Sequence, residues 1–293
     1  MENEKLISVG MPVYNSLRND ESFLRRSLES ILTQTYKNLE VIISDNASQD
    51  KTGDILKKYA LIDSRIKYFR QENNVGAVKN FSFVINEAKG EYFMLASDDD
   101  FWERDFIKKL SEVLDANSSY SVAMSHYYSF SKTDLNDKEL RTHDYTHMSY
   151  IENYRKTILG KTNPIFMYGL YRTLYFKKLY ARLMPNCREE TVILMCESAL
   201  ATRWYSYPEP LYWRYRNPLP NAVRHAGDPA IENYSTKYTY TKYFLTLLFW
   251  PLSSRVIPFS RKFLIFGPWF ERAWYAKRKI FNEILGTFSF FYK

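Results

Sequence analysis

The 293-residue chain predicts an α/β fold, with a mostly parallel central sheet flanked by helices and a C-terminal helical extension rich in aromatic and basic residues. Three observations predict it. Apolar runs of strand length alternate with segments of helical periodicity in the first third of the chain. A polar, turn-forming cluster follows the strand-like runs. From Tyr234 onward, acidic residues become sparse while Phe, Trp, Tyr, Lys and Arg interleave.

The elements follow in order. Leu6-Ile7-Ser8-Val9-Gly10-Met11-Pro12-Val13 reads as a buried strand that turns out at Tyr14-Asn15-Ser16. Residues 20–36 read as a helix capped by Asp20, with Leu24, Leu28, Ile31 and Leu32 on one face. Leu39 to Ser44 is a second strand running into Asp45-Asn46-Ala47-Ser48. A helix carrying Ile55, Leu56 and Tyr59 comes next, then a short strand at Ile66-Lys67-Tyr68-Phe69 and a turn at Asn73-Asn74-Val75-Gly76. The following helix spaces Ala77, Phe81, Ile85 and Ala88 on one face, with Gly90 expected as its C-cap. Tyr92-Phe93-Met94-Leu95-Ala96 is a buried strand that ends in Asp98-Asp99-Asp100. Phe106, Ile107, Leu110, Val113 and Leu114 mark another amphipathic helix.

In a sheet of this kind, ligands sit beyond the carboxyl ends of the strands. The polar clusters at Tyr14-Asn15, Asp45-Asn46, Asn73–Gly76 and Asp98–Asp100 fall at or just past those ends, so together they outline one pocket. The triple aspartate is the sharpest of them. Adjacent carboxylates repel, which drives at least one toward the protonated form unless a cation neutralises them. A hard divalent ion with oxygen ligands meets that need; a solvated turn or a helix N-cap is the plainer alternative. Asp45 also suits an Asx-turn, and Asn74-Val75-Gly76 an ordinary turn.

Composition narrows the partners. The formal charge is +8, and aromatics make up 17% of the chain. A basic balance suits a phosphate-bearing ligand, a nucleic acid or an anionic membrane. The two cysteines, Cys187 and Cys196, both lie in a helix-like stretch and are expected to be reduced thiols on a cytoplasmic protein. The polar start lacks the apolar core of a signal peptide. No stretch reaches the ~18–20 apolar residues of a transmembrane helix.

Four segments together resemble the family 2 glycosyltransferases of the GT-A (Rossmann-like) fold, which are nucleotide-diphospho-sugar transferases. They are Val9-Gly10-Met11-Pro12-Val13-Tyr14-Asn15, Val41 to Thr52, Asn74-Val75-Gly76 and Asp98-Asp99-Asp100. The resemblance is close over roughly the first 110 residues and looser to about residue 216. It implies a nucleotide-sugar-binding half at residues 1–110, an acceptor-binding and catalytic half of the same domain at 111–228, and an extension at 229–293. Pro12, Val13, Tyr14 and Asn15 would line the base pocket, and Asp45 would accept from a base N–H. Asn74, Gly76 and Lys79 would lie near the nucleotide. Asp98 would reach the ribose, and Asp99 would ligate Mn2+ or Mg2+ on the diphosphate. The commoner family pattern is Asp-x-Asp-Asp, whereas Ser97 stands at the first position here, so Asp100 is an alternative ligand. A UDP-sugar is the favoured donor, and a glycan or lipid-linked molecule the acceptor.

The second half should supply a base for the acceptor hydroxyl. The family places it in an acidic pair well past the metal motif. Arg188-Glu189-Glu190 stands there, before the apolar Thr191-Val192-Ile193-Leu194-Met195. Glu190 is the expected base and Glu189 the fallback, although both also suit a helix N-terminus. Glu197 is expected to pair with a cation. Ser119 to Phe130 reads as a strand, Ser131 to Asp144 as a loop, and Asn163 to Arg172 as strand or loop. Tyr207 to Arg216 reads as a strand whose Arg214 or Arg216 would contact the diphosphate. His225 lies in a loop-like stretch.

In the tail, Pro251, Pro258 and Pro268 are expected to cut the chain into short basic helices. Such helices suit the cytosolic face of an anionic membrane, a packed cap on the domain or an oligomer interface. Inverting, metal-dependent glycosyl transfer in surface polysaccharide synthesis is the leading expectation, with no nucleic acid as partner. A nucleotidyltransferase and a nucleic-acid-binding module are the alternatives. The first lacks a Gly-rich basic signature at strand one. The second would show steep salt dependence and no need of a metal.

Overall fold

A computed structural model gives the fold and describes residues 4–18, 20–132, 134–162, 164–181, 190–217 and 239–288. Among the described residues, nine strands form one sheet: β1 Ile7–Val13, β2 Leu39–Asp45, β3 Ile66–Arg70, β4 Tyr92–Leu95, β5 Phe101–Trp102, β6 Tyr120–Phe130, β7 Glu139–Arg141, β8 Leu170–Arg172 and β9 Arg203–Tyr215. Their order is β3-β2-β1-β4-β8-β6-β9-β5, with β7 on β6. The longer pairings, β1 with β2 and β4, β2 with β3, and β6 with β9, are parallel. The antiparallel ones, β4–β8, β6–β8, β5–β9 and β6–β7, are short.

The reason for the parallel half is visible in burial. Ile7, Val9, Met11, Val41, Ile42, Ile43 and Tyr92 to Leu95 are sealed on both faces, as strands covered by helices on either side must be. The covering helices are α1 Glu21–Leu32, α2 Thr52–Ile62, α3 Ala77–Glu87 and α4 Phe106–Ala116. Asp20 caps α1 by accepting from the Ser22 N–H at 2.8 Å, as expected. The helix ends at Leu32, four residues short of the expected end.

Three local expectations fail for physical reasons. Gly90 is not a helix C-cap: α3 ends at Glu87, and Ala88 is extended. Gly90 is small because a Cβ there would sit 2.6 Å from the Leu6 carbonyl oxygen and 2.7 Å from the Ser8 nitrogen. The polar stretch at 131–144 contains the short strand β7, hydrogen-bonded along β6. Pro268 does not break the tail, because it falls in the first turn of a helix, where its missing N–H costs nothing.

The second half adds α5 Tyr150–Ile158, α6 Thr173–Tyr180 and α7 Glu190–Ala201. A capping box between Ser149 and Glu152 starts α5. Helix α7 is buried on every side at Ile193 to Leu200. One side meets the domain. The extension covers another, as α8 Thr239–Leu252, α9 Phe259–Lys262 and α10 Phe266–Phe288. Glu197, fully buried, accepts from Trp250 Nε1 at 2.6 Å and from Ser254 Oγ. Arg261 donates to the Leu200 and Ala201 carbonyls at the end of α7 and lies 3.5 Å over the Tyr150 ring. Arg155 holds Glu271 through two bonds of 2.6 and 2.9 Å. The extension therefore packs on the domain as a cap. Cys196 is a free, buried thiol, and burial pushes its pKa up. Cys187 lies outside the described residues.

Candidate active site

Parallel register brings the expected clusters together. Val13 pairs with Asp45, Asp45 with Arg70, and Gly10 with Leu95. The carboxyl ends of β1, β2, β3 and β4 thus lie side by side, and Ala96 N–H continues the ladder onto the Gly10 carbonyl at 2.9 Å. From there the chain runs into Ser97 and the three aspartates.

Asp45 is fully buried at the end of β2. Its Oδ2 accepts from Arg70 Nη1 at 2.5 Å and Tyr68 Oη at 2.9 Å, and its Oδ1 accepts from the Ser48 N–H at 2.8 Å. These three donors satisfy most of the about four acceptor positions of a carboxylate and hold the group away from solvent. Gly53, in the first turn of α2, leaves room for this cluster: a Cβ there would come within 3.1 Å of Asp45 Oδ2 and Tyr68 Oη. Burial, then the bond to Asp45, pushes the Tyr68 hydroxyl up to about 12.

The rims of the cleft are tied to each other. Asn15 adopts φ 48°, a left-handed conformation that Asn tolerates. Its N–H donates to Ser48 Oγ at 2.9 Å, and its Oδ1 accepts from the Gln49 N–H at 2.8 Å. Asn46 donates to Asn74 Oδ1 at 2.7 Å and accepts from the Val75 N–H at 2.9 Å. Gly76 sits at φ 84°, its N–H on Asn74 Oδ1, and starts α3. Lys79 is exposed in the first turn of that helix. Behind them, buried Asn80 bonds to Ser44 Oγ and to the Ser44 carbonyl. Pro12 and Tyr14 are half-buried, while Val13 is buried.

The aspartates divide into two environments. Asp100 faces β9: Tyr212 Oη donates to its Oδ2, and the Tyr215 N–H donates to its Oδ1 at 2.7 Å. Burial, then the neighbouring charge of Asp99, pushes its carboxyl up to about 8, against the pull of Tyr212, Tyr215 and Arg214. Asp99 is buried and accepts from Ser97 Oγ at 2.5 Å, whereas Asp98 is half-buried. Asp100 is thereby committed to β9, while Asp98 and Asp99 present carboxylate oxygens beside it. Their hard donors fit Mg2+ or Mn2+. Among the described residues, no group of three or more His, Cys, Asp or Glu converges on one point.

The arginine beside this cluster is Arg214. It is half-buried on β9, and its charge bears on Asp100 and on Tyr212, Tyr168 and Tyr127. Arg216 lies one step past β9, 3.9 Å from Glu139, with its N–H on the Phe130 carbonyl. Alternation along β9 sorts the rest. Tyr212 and Arg214 share the aspartate side, while Trp213 and Tyr215 join Phe23, Phe101 and Phe130 in a separate aromatic cluster. Glu190 is the first residue of α7. Glu189 and His225 lie outside the described residues, as does the Glu190 side chain. Arg70, Tyr68 and Tyr212 are site residues that the sequence reading does not single out. Arg70 had a readable signal, since it ends the strand that pairs with Asp45.

The family model for glycosyl transferase family 2 matches residues 8–182, which takes in β1 to α6 and all three aspartates.

The chain belongs to glycosyl transferase family 2.

Among curated relatives, the glycosyltransferase GlyA of Streptococcus pneumoniae is 36% identical over 129 residues, 44% of this chain and 18% of GlyA. The chain spans less than two thirds of the length of the curated relatives it matches, from 18% to 59%. The fold matches that of S. aureus TarS 1-349 in complex with UDP-GlcNAc, with a TM-score of 0.67, 18% identity, and coverage of 91% of this chain and 72% of that one. It also matches a Pyrobaculum calidifontis mannosyltransferase in complex with GDP-Man and Mn2+, with a TM-score of 0.55, 14% identity, and coverage of 94% and 76%. These likenesses establish the GT-A-type fold.

Proposed function

We propose that this protein moves one sugar from a nucleoside-diphosphate donor, a UDP-sugar favoured, to a glycan or lipid-linked acceptor in surface polysaccharide synthesis. The reaction would be an inverting, metal-dependent single displacement. The observation that carries this reading is the side-by-side arrangement of four strand ends, with Asp45 and its donors at one end of the row and Asp98-Asp99 at the other. UDP-GlcNAc in TarS and GDP-Man with Mn2+ in the mannosyltransferase support a nucleotide sugar on this fold.

Each residue has a role in that reading. Pro12, Val13 and Tyr14 flank the base with main-chain and apolar surface, and Asn15 holds their exit turn. Asp45 accepts a base N–H once the nucleotide enters beside the end of β2. Asn74 and Gly76 shape the loop beside the nucleotide, and exposed Lys79 faces its negative charge. Asp98 and Asp99 would hold Mn2+ or Mg2+, which when bound supplies charge neutralisation for a departing diphosphate. Arg214 adds fixed positive charge beside the aspartates, with Arg216 further out. Glu190 takes the proton from the attacking acceptor hydroxyl, on the side opposite the leaving group.

The test is a panel of nucleotide sugars read by release of nucleoside diphosphate. One donor should be consumed, with a need for Mn2+ or Mg2+, and Asp99→Ala should abolish the release. Full activity of that variant in the presence of chelator would remove the metal from the mechanism.

A further inference from the structure

The extension has a second face that the domain does not cover. Phe266, Phe270, Trp274, Lys277 and Phe281 of α10 are all exposed. At ~100° per residue they fall within an arc of about 80°, and at ~1.5 Å per residue the stripe runs about 22 Å. Phe259 of α9 and Phe263, in the short 3-10 turn between α9 and α10, are also exposed and stand edge to face. Leu245 and Phe249 of α8 are exposed as well. Soluble surfaces rarely gather so much contiguous aromatic area without a partner.

Charge identifies the partner. Residues 239–288 hold eight Lys or Arg against two Glu. Glu271 is turned into α5 and held by Arg155. Lys277 lies 3.4 Å over the Trp274 ring, in the stripe itself. Exposed Lys242 and Arg255 stand elsewhere on the extension. On the α5 side, exposed Lys156 and Lys161 line a cavity of about 340 Å³ with Met148, Glu152, Leu159 and the Glu271-paired Arg155. Aromatic rings with interspersed cations suit the headgroup boundary of a bilayer, where a ring sits at the edge of the hydrocarbon and Lys meets lipid phosphate. Among the described residues, no helix is long and apolar enough to cross a membrane, so the stripe would lie along the surface.

We infer that the α9–α10 aromatic stripe docks this protein on an anionic lipid bilayer. The inference stands on the exposed face and its charge, independently of the sugar-transfer reading. It also has a structural consequence. The extension that meets lipid is bonded through Trp250 and Ser254 to Glu197 of α7, the helix that Glu190 begins. Lipid contact and helix α7 thus belong to one packed unit.

The experiment is co-sedimentation of the full chain with vesicles of phosphatidylglycerol and phosphatidylcholine, and with phosphatidylcholine alone. Wild type should partition onto the anionic vesicles, more weakly at high salt and on the neutral ones. Each exposed aromatic replaced by Ser, in Phe270→Ser and Trp274→Ser, should lower the partition coefficient roughly tenfold. Leu61→Ser and Ile62→Ser, more exposed still but on α2, should leave it unchanged and show that the loss is local. Emission from Trp274 should shift to the blue on anionic vesicles and be quenched by brominated acyl chains. Equal partitioning of wild type and the Phe270/Trp274 double variant would overturn the inference. So would concentration-dependent self-association, lost in that variant, without vesicle binding, since the stripe would then cover a second copy.

Discussion

Replacing Asp45 with Ala separates structure from recognition at the base end of the cleft. The wild-type carboxylate receives three donors. The Ser48 N–H is buried and has nowhere else to go, which costs about 1–3 kcal/mol. Tyr68 is only half-buried and reaches water at small cost. Arg70 is 43% exposed and keeps its 2.7 Å bond to the Ser48 carbonyl, so its lost ion pair counts for about 1 kcal/mol or less. The sum is about 3 kcal/mol, read as a lower urea midpoint with an unchanged slope. Tyr68→Phe removes one donor and should cost about 1 kcal/mol. Folded Asp45→Ala should also bind UDP at least about tenfold more weakly by calorimetry, because the base N–H loses its acceptor. Tyr68→Phe should bind UDP as wild type does. A large stability loss with unchanged UDP affinity would show that Asp45 only braces the loop. No stability loss would contradict the hydrogen-bond reasoning itself.

Other expectations follow from single contacts. Gly90→Ala forces a Cβ against the Leu6 carbonyl and Ser8 nitrogen, backbone atoms that cannot swing away, and should lower stability by about 2–4 kcal/mol in a thermal melt. Burial lowers the pKa of His143 to about 4, while the unfolded chain titrates near ~6.5. The unfolded state therefore binds more protons between those values, so stability should fall by up to about 3 kcal/mol as pH drops from ~6.5 to ~4, and His143→Gln should flatten that slope. An unchanged slope would place the titrating group elsewhere. Glu190→Gln should retain donor affinity and lose transfer by about 10²-fold or more in a product assay; retained turnover would move the base to Glu189 or beyond.

How much of this was legible before folding depends on range. The long strands and the helices between them were readable because their patterns are local: Ile7 to Val13, Leu39 to Ser44 and Tyr92 to Ala96 each carry their own apolar run. The gathering of Asp45 with the aspartates followed from one topological rule about parallel sheets. Strands of two or three residues, β5, β7 and β8, carry too few residues to show a period, and only their neighbours define them. The fate of Asp100 was hidden because its donors, Tyr212 and Tyr215, come from more than a hundred residues away. The same distance hid the choice between Arg214 and Arg216, which share a parity and differ only in where β9 stops. In the tail, the prolines were visible but their positions within a turn were not. Pro268 therefore read as a break although α10 runs through 23 residues. The contact of Glu197 with Trp250 and Ser254, likewise, is a product of packing alone.

The central claim is that one cleft at the ends of β1, β2 and β4 holds base, diphosphate and cation together. Crystals grown with UDP and Mn2+ test it most directly. The account predicts density for the base between Pro12–Tyr14 and Asp45, with the diphosphate and an ion beside Asp98 and Asp99. Nucleotide density elsewhere, or an ion bound away from the aspartates, would contradict it.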